Sequence, residues 1–135
     1  MRYGALVDGK KGAYGVVIPD LPGCTSAGKT ADAAYRNAIE AVRLWIEDAL
    51  EDGEKPPRPR SLKELLADRE VRRALGTGSA LMLVPVVRDS GRPTKANVSM
   101  DAGTLQAIDD EATARGLTRS AFIASAALEK IRRGT

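Results

Sequence analysis

The chain has 135 residues, of which 43% are hydrophobic, and its 21 Lys/Arg and 18 Asp/Glu give a formal net charge of +3. The sequence contains no histidine and one cysteine, which excludes histidine-dependent catalytic triads, an internal disulfide and most zinc sites. No apolar run approaches the roughly 20 residues of a membrane helix, and the first residues contain no apolar signal segment, so we expect a cytoplasmic protein with no membrane partner.

The first 29 residues predict a β-hairpin followed by a loop. The segments MRYGALVD and AYGVVIPD have the composition of strands, and the GKKG between them predicts a four-residue turn. The following LPGCTSAGKT is either a loop or a loop that leads into a short third strand around Cys24–Gly28.

A long amphipathic helix is predicted from about Thr30 to Asp52. Thr30 or Asp32 can cap its N-terminus, and Gly53 follows it as a stop signal. Apolar residues recur at spacings of three and four and form one stripe, which contains Ala34, Ala38, Ala41, Val42, Trp45, Ile46 and Ala49. The hairpin, the short strand and this helix together indicate a small antiparallel sheet with a helix across one face.

Residues 54–90 predict a connector, one short helix and a further strand. EKPPRPR has three prolines in seven residues and cannot be helical, whereas SLKELLADREVRRALG predicts a single helix with Ser61 as its cap and Gly76 as its end. ALMLVPVV has strand length, and Pro85 favours an edge position or a bulge for this last strand of the sheet. RDSGRP is a linker with a domain boundary near Ser90, so we predict domains over 1–90 and 91–135.

The charges are distributed unevenly along the chain. Residues 1–53 carry six Lys/Arg and eight Asp/Glu, residues 54–87 carry seven and four, and residues 88–135 carry eight and six. An acidic beginning and a basic remainder often accompany two different partners. The runs KPPRPR and REVRR are candidates for nucleic-acid contact, although charge runs beside a proline-rich connector are usually only solvated.

The segment KANVSM near the C-terminus alternates between polar and apolar residues, which predicts a strand over Lys95–Met100. Two helices are predicted after it, from about Asp101 to Arg115 and from Thr118 to about Arg132. A lone strand with two helices leaves backbone groups unpaired. We therefore expect a two-fold dimer, in which the strand pairs with its own copy above four helices, with a core of Val98, Met100, Leu105, Ile108, Phe122, Ile123 and Ala127.

The polar face of this two-stranded ribbon suggests contact with DNA. A β-ribbon fits the major groove, where lysine can contact guanine and asparagine can contact adenine. The predicted base contacts are therefore Lys95, Asn97 and Ser99. The start of the last helix offers free backbone N–H groups, and the predicted phosphate contacts there are Thr118, Arg119 and Ser120.

Two stretches of the sequence resemble known families. KANVSMDAGTLQAIDDEATARGLTRSAFIASAALEKI resembles a ribbon-helix-helix DNA-binding domain, through its alternating strand, GLTRSAFI and the closing amphipathic helix. YGVVIPDLPGCTSAGKTADAAYRNAIEAVRLWIED resembles the N-terminal domain of HicB-type antitoxins, through the matching residues Pro19, Asp20, Pro22, Gly23, Gly28, Thr30, Ala33 and Ala34. The resemblance implies an α+β fold, in which a partial ribonuclease-H-like domain, a small antiparallel sheet with a packed helix, precedes a dimeric ribbon-helix-helix domain.

The same resemblance implies an antitoxin of a type II toxin–antitoxin system and not an enzyme. The first domain would bind and block a HicA-type mRNA-cleaving toxin, and the second would repress the operon at a palindromic operator in double-stranded DNA. The implied assembly is a homodimer through the C-terminal domain, and a tetramer would form if the first domains also pair. We expect no catalytic residue, no cofactor and no metal.

Two other functions stay open on the residues alone. The chain is alternatively a stand-alone ribbon-helix-helix transcriptional regulator with a ligand-sensing or oligomerising N-terminal domain. A weak nuclease is the other alternative, with magnesium held by Asp8, Asp20 and Asp32, although a turn role for Asp20 and a helix-start role for Asp32 are simpler. Cys24 has no histidine to activate it. The operator, the toxin's identity and stoichiometry, the toxin-binding surface and the role of Ser61–Ala80 are not determined by the sequence.

Overall fold

The computed structural model describes residues 1–88 and 91–133. The chain forms two compact units, Met1–Arg88 (unit 1) and Asp89–Thr135 (unit 2). The domain boundary predicted near Ser90 lies outside the described residues. Among the helices that the structure describes, none is both long and apolar enough to cross a membrane.

Unit 1 contains a four-stranded antiparallel sheet. Its strands are β1 Arg2–Lys10, β2 Ala13–Val17, β3 Thr25–Gly28 and β4 Ala80–Pro85, in the spatial order β3-β2-β1-β4. The central strand β1 pairs with two neighbours, so that Leu6 lies opposite Val17 on one side and opposite Leu81 on the other. β4 is an edge strand that ends at Pro85, a residue without the N–H that a central strand needs. The predicted α+β fold with a small antiparallel sheet is confirmed.

The connection between β1 and β2 is shorter than the predicted four-residue turn. Lys10 pairs with Ala13, so only Lys11 and Gly12 lie between the two strands. Gly12 has a φ of 94°, a conformation that glycine adopts without the steric penalty of a side chain. Because this glycine closes the turn within two residues, the first half of GKKG remains part of β1.

The long helix α1, Ala31–Glu51, covers one face of the sheet. The Thr30 hydroxyl caps it by accepting the Ala33 N–H at 3.0 Å, and Gly53 follows with a φ of 76°. The core contains alternate residues of β1 and the apolar stripe of α1, chiefly Tyr3, Ala5, Val7, Val16, Ile18, Val84, Ala34, Tyr35, Ala38, Ile39, Val42 and Ile46. Trp45 lies at the border of this core, where it is partly buried and donates its indole N–H to the Pro22 carbonyl at 2.9 Å.

The edge strand β3 is in close contact with the first turns of α1. A Cβ atom at Gly28 would collide with the backbone nitrogen of Ala34, so this approach requires glycine. The Ser26 hydroxyl donates to the Ala34 carbonyl at 3.1 Å, and the Asn37 amide donates to the Ala27 carbonyl at 2.7 Å. The helix thus provides hydrogen bonds to a strand edge that would otherwise be open.

The single helix predicted from Ser61 to Gly76 is wrong, because the chain forms two helices, α2 Leu62–Ala67 and α3 Arg69–Gly76. Asp68 between them is extended, with φ −74° and ψ 133°. Its carboxylate accepts the N–H groups of Glu70 at 2.8 Å and Val71 at 3.0 Å. Asp68 is therefore an N-cap that starts a second helix in the middle of the predicted one. The predicted cap at Ser61 is confirmed, and it forms a capping box with Glu64.

The pair α2–α3 lies on the sheet face opposite to α1. Tyr3 and Ala5 of β1 point into the α1 core, so Gly4 between them faces the other way. The Leu65 side chain occupies the space that a Cβ at Gly4 would need, and Leu65 and Val71 are fully buried. The segment that the sequence left without a role therefore supplies a second apolar layer.

In unit 2, residues 91–133 form two helices, α4 Ala102–Ala114 and α5 Arg119–Arg133. Asp101 caps α4 by accepting the N–H groups of Gly103 at 2.8 Å and Thr104 at 3.2 Å. Residues 95–100 form no strand in the single chain, because a strand is defined by backbone hydrogen bonds to a neighbour, and the described residues supply none to this segment. The strand over Lys95–Met100 and its pairing in a dimer stay predictions.

Candidate functional site

Residues 96–100 of unit 2 lie beside the start of α5. A groove of about 530 Å³ is lined by Ala96, Asn97, Val98, Ser99, Met100, Leu105, Arg119, Ser120 and Ile123. The groove brings two of the predicted base contacts, Asn97 and Ser99, next to two of the predicted phosphate contacts, Arg119 and Ser120. Lys95 is exposed and lies outside the lining of the groove.

The start of α5 has backbone donors that can bind an anion. Thr118 caps the helix, since its hydroxyl accepts the Ala121 N–H at 3.1 Å and its carbonyl accepts the Phe122 N–H at 3.0 Å. Within the described part of the chain, the backbone N–H groups of Arg119 and Ser120 have no acceptor. Two free donors at the positive end of a helix dipole are suited to a phosphate oxygen.

Arg119 is held in place by the carboxylate of Asp109. Its Nε and Nη2 atoms donate to the Oδ1 and Oδ2 atoms of Asp109, both at 2.8 Å. These hydrogen bonds lower the pKa of Asp109 and raise that of Arg119, so both groups stay charged near neutral pH. The ion pair joins α4 to α5 and orients the guanidinium beside the groove. No spacing rule indicates it, because the two residues are ten positions apart.

Unit 2 does not bury an apolar core by itself. Among residues 91–133, Ala112 is the one buried hydrophobic residue, and the Val98 side chain is 67% exposed. Ala127 is also exposed, and the rest of the predicted dimer core is only partly buried, namely Met100, Leu105, Ile108, Phe122 and Ile123. Two helices with so little burial need further apolar contacts to be stable.

In unit 1, the carboxylate of Asp20 fastens the proline-rich connector to the sheet. Its side chain is 5% exposed, and it accepts the Arg60 backbone N–H at 2.9 Å and the Arg60 Nε at 2.5 Å. Arg60 also donates through Nη1 to Asp68 at 2.8 Å, and the Tyr3 hydroxyl donates to the Pro57 carbonyl at 2.5 Å. Hydrogen bonds to Asp68 and Asp20 raise the pKa of Arg60. Asp20 therefore stabilises the position of a segment that is 40 residues away in the sequence, and its turn motif does not indicate this contact.

Asp8, Asp32 and Cys24, the other candidates for a catalytic role, do not form a site. Asp8 is exposed on β1, and Asp32 is exposed in the first turn of α1. Across the described ranges 1–88 and 91–133, no group of three or more His, Cys, Asp or Glu side chains is positioned to hold a metal ion. Cys24 is buried, and burial raises the pKa of its thiol, which disfavours the reactive thiolate.

We expect Asp20→Asn to lower the free energy of unfolding by about 1 to 3 kcal/mol, because a neutral amide cannot accept both charge-assisted hydrogen bonds of Arg60. Urea denaturation followed through the fluorescence of Trp45, the single tryptophan, measures this change. The matched control is Asp8→Asn, an exposed carboxylate whose replacement should stay within about 0.5 kcal/mol of wild type. Equal stability of the two variants would show that the connector is not held by Asp20.

Comparison with known proteins finds one family and several related structures. The model of the family described as HicB-like antitoxin of bacterial toxin–antitoxin system matches residues 3–127. The crystal structure of the Burkholderia pseudomallei antitoxin HicB has a TM-score of 0.57 and 35% identity, and the match covers 97% of this chain and 98% of that one. A chain of the HicA3 and HicB3 toxin–antitoxin complex has a TM-score of 0.54 and 25% identity, over 65% of this chain and 100% of that one.

A relative from a virus spans most of the chain. A 14.9 kDa protein from the rep-hol intergenic region of Haemophilus phage HP1 (strain HP1c1) is 32% identical over 109 residues. That alignment covers 81% of this chain and 80% of the phage protein. The similarity therefore extends over both units and is not limited to the helix-rich end.

Proposed function

The chain belongs to the HicB-like antitoxins of bacterial toxin–antitoxin systems, and on this premise we propose that it neutralises a HicA-type mRNA-cleaving toxin and represses its own operon. The family match over residues 3–127 is the observation that carries the proposal. The proposed toxin-neutralising domain is 1–90, and the proposed ribbon-helix-helix domain for DNA binding and dimerisation is 91–135.

Neutralisation is proposed to occur by burial of the toxin's RNA-binding surface and not by chemistry. A protein that cleaves RNA needs positive charge to bind phosphates. The negative charge of unit 1 is concentrated between Glu40 and Glu54, where six carboxylates accompany a single arginine, Arg43. Arg43 is itself ion-paired to Glu40 and Glu47. An acidic region of this kind favours association with a basic partner, and the similarity to a chain of a HicA3–HicB3 complex supports the same partner class.

Repression is proposed to use the dimeric ribbon of unit 2 on a palindromic operator. Three observations support it: the exposed Val98, the small buried core of 91–133 and the free N–H groups of Arg119 and Ser120 beside the groove. A second copy would cover the apolar residues and supply the strand partner that residues 95–100 need. Affinity for the operator would fall with rising salt, because phosphate contacts release counterions.

Co-expression of this chain should restore growth to a host that its HicA-type toxin arrests. Purified chain should also stop RNA cleavage when it is present at equal concentration. The Lys95→Ala, Asn97→Ala double variant should neutralise as well as wild type, because it changes only unit 2. A chain that binds its operator but leaves cleavage unchanged would instead support the stand-alone regulator with a ligand-sensing or oligomerising first unit.

A further inference from the structure

Helix α3 presents three arginines on one exposed face. Arg69, Arg72 and Arg73 lie at positions i, i+3 and i+4, and these spacings bring helical side chains together. All three are exposed, and with Ala67 they line a depression of about 460 Å³. The buried residue of this helix, Val71, lies on a different face, so the packing of α3 does not use the arginines.

No ion pair neutralises the arginine face within the described residues. None of Arg69, Arg72 and Arg73 forms an ion pair there, and Glu70, which lies between them in the sequence, is also unpaired. Other arginines in the described ranges are ion-paired, among them Arg43, Arg58, Arg60, Arg115, Arg119 and Arg133. The positive charge of α3 is therefore available to a ligand.

This arrangement is unfavourable for the helix itself. Like charges at i, i+3 and i, i+4 repel, and Arg69 stands in the first turn, at the positive end of the helix dipole, whereas Arg73 in the last turn is favourably placed. The nearby carboxylate of Asp68 does not offset them, because it caps α3 and pairs with Arg60. A face that the fold neither packs nor neutralises is better explained by an external anion.

We propose that the arginine face of α3 binds the phosphate backbone of nucleic acid, as a contact surface separate from the proposed ribbon of unit 2. Guanidinium groups donate paired hydrogen bonds that match phosphate oxygens, and they lose less hydration energy than ammonium groups when they do so. Three of them around one depression suit consecutive phosphates of a strand better than a single free anion. Phosphodiesters of duplex DNA and of RNA share this chemistry, and the proposal requires neither toxin binding nor operator reading.

The test measures how the affinity of the full-length chain depends on salt. Two fluorescent probes of equal length serve as ligands, a duplex DNA without the operator and a single-stranded RNA, between about 50 and 200 mM KCl. Each phosphate contact contributes about 0.9 to the slope of log affinity against log salt for duplex DNA and about 0.7 for single strands. The R69Q/R72Q/R73Q variant should therefore reduce the magnitude of this negative slope by about 2 to 3 on at least one probe.

Two control variants separate a site from general charge. K10Q/K11Q/K29Q removes the same charge near the β1–β2 turn, where the Lys29 carbonyl accepts the Gly12 N–H at 2.8 Å, and it should lower the slope by less than about 1. R69K/R72K/R73K keeps the charge and should keep the slope within about 1 of wild type.

Each outcome of this test decides the proposal. If the glutamine variant has a smaller slope on the duplex probe alone, DNA is the source of the phosphates, and if the slope is smaller on the single-stranded probe alone, the source is RNA. A smaller slope on both probes shows that the arginine face binds both nucleic acids. An unchanged slope in a glutamine variant with wild-type circular dichroism would overturn the proposal. An equal reduction of the slope in K10Q/K11Q/K29Q would also overturn it, because net charge and not the arginine face would then explain the binding.

Discussion

Replacement of Lys95 and Asn97 by alanine should weaken binding of the full-length chain to its operator on the order of 1,000-fold at constant salt. In a two-fold dimer each side chain acts twice, and each good contact to a base edge contributes about 1 to 3 kcal/mol of discrimination. Four contacts at the lower limit amount to about 4 kcal/mol, which corresponds to nearly three orders of magnitude in the dissociation constant. Gel-shift titration on the DNA immediately upstream of the gene measures the change.

The matched control for this variant is Gln106→Ala, Lys130→Ala, which removes one amide and one ammonium group from exposed positions elsewhere in unit 2. It should bind the operator within about threefold of wild type, with a small loss from the changed charge. Both variants should retain the mass of the wild-type assembly in light scattering. Equal operator affinity for wild type and for the Lys95, Asn97 variant would remove the ribbon as the DNA-reading surface.

Val98→Glu should halve the mass of the assembly in light scattering and strongly weaken operator binding. In the single chain this side chain is 67% exposed, whereas in the proposed dimer it lies between the ribbon and four helices. Two glutamates brought together in an apolar core would each lose hydration worth several kcal/mol, with no partner to compensate. The monomer–dimer equilibrium would therefore shift toward monomers at micromolar concentration. Operator affinity would fall by more than about 100-fold, because DNA-binding proteins of this kind bind as dimers.

The comparison variant is Leu50→Glu, which also adds a carboxylate to an exposed apolar position, 41% exposed near the end of α1. Its assembly and operator binding should match those of wild type. Unit 1 should stay folded in both variants, as judged from Trp45 fluorescence. A Val98→Glu chain with the mass of wild type would contradict the proposed dimer core.

Local signals predicted much of unit 1 correctly. Thr30 and Ser61 were identified as helix caps because a hydroxyl before an amphipathic pattern can accept a free N–H of the first turn. Pro85 indicated an edge strand because proline lacks a donor. The apolar stripe of α1 became the core because its spacing matches the helical repeat. Each of these inferences depends on residues within a few positions of one another.

Errors arose where two local signals competed. The pattern from Ser61 to Gly76 is helical in composition, but Asp68 caps a second helix within it, and the burial of Leu65 and Val71 against the sheet stabilises the break. The GKKG segment predicted a four-residue turn, but the pairing of Lys10 with Ala13 extends β1 to Lys10 and leaves Gly12 to close the hairpin. Neither choice can be made without the rest of unit 1.

Most elements of unit 1 and the two helices of unit 2 follow from the sequence by itself, because propensity, caps and periodicity act over short distances. The family follows from the resemblance of the sequence to HicB-type antitoxins. Tertiary structure alone decided which charges meet. Asp20 reaches Arg60 across 40 positions, and Arg119 reaches Asp109 across ten. These pairings depend on how elements distant in sequence pack together, and no spacing within a single element encodes them.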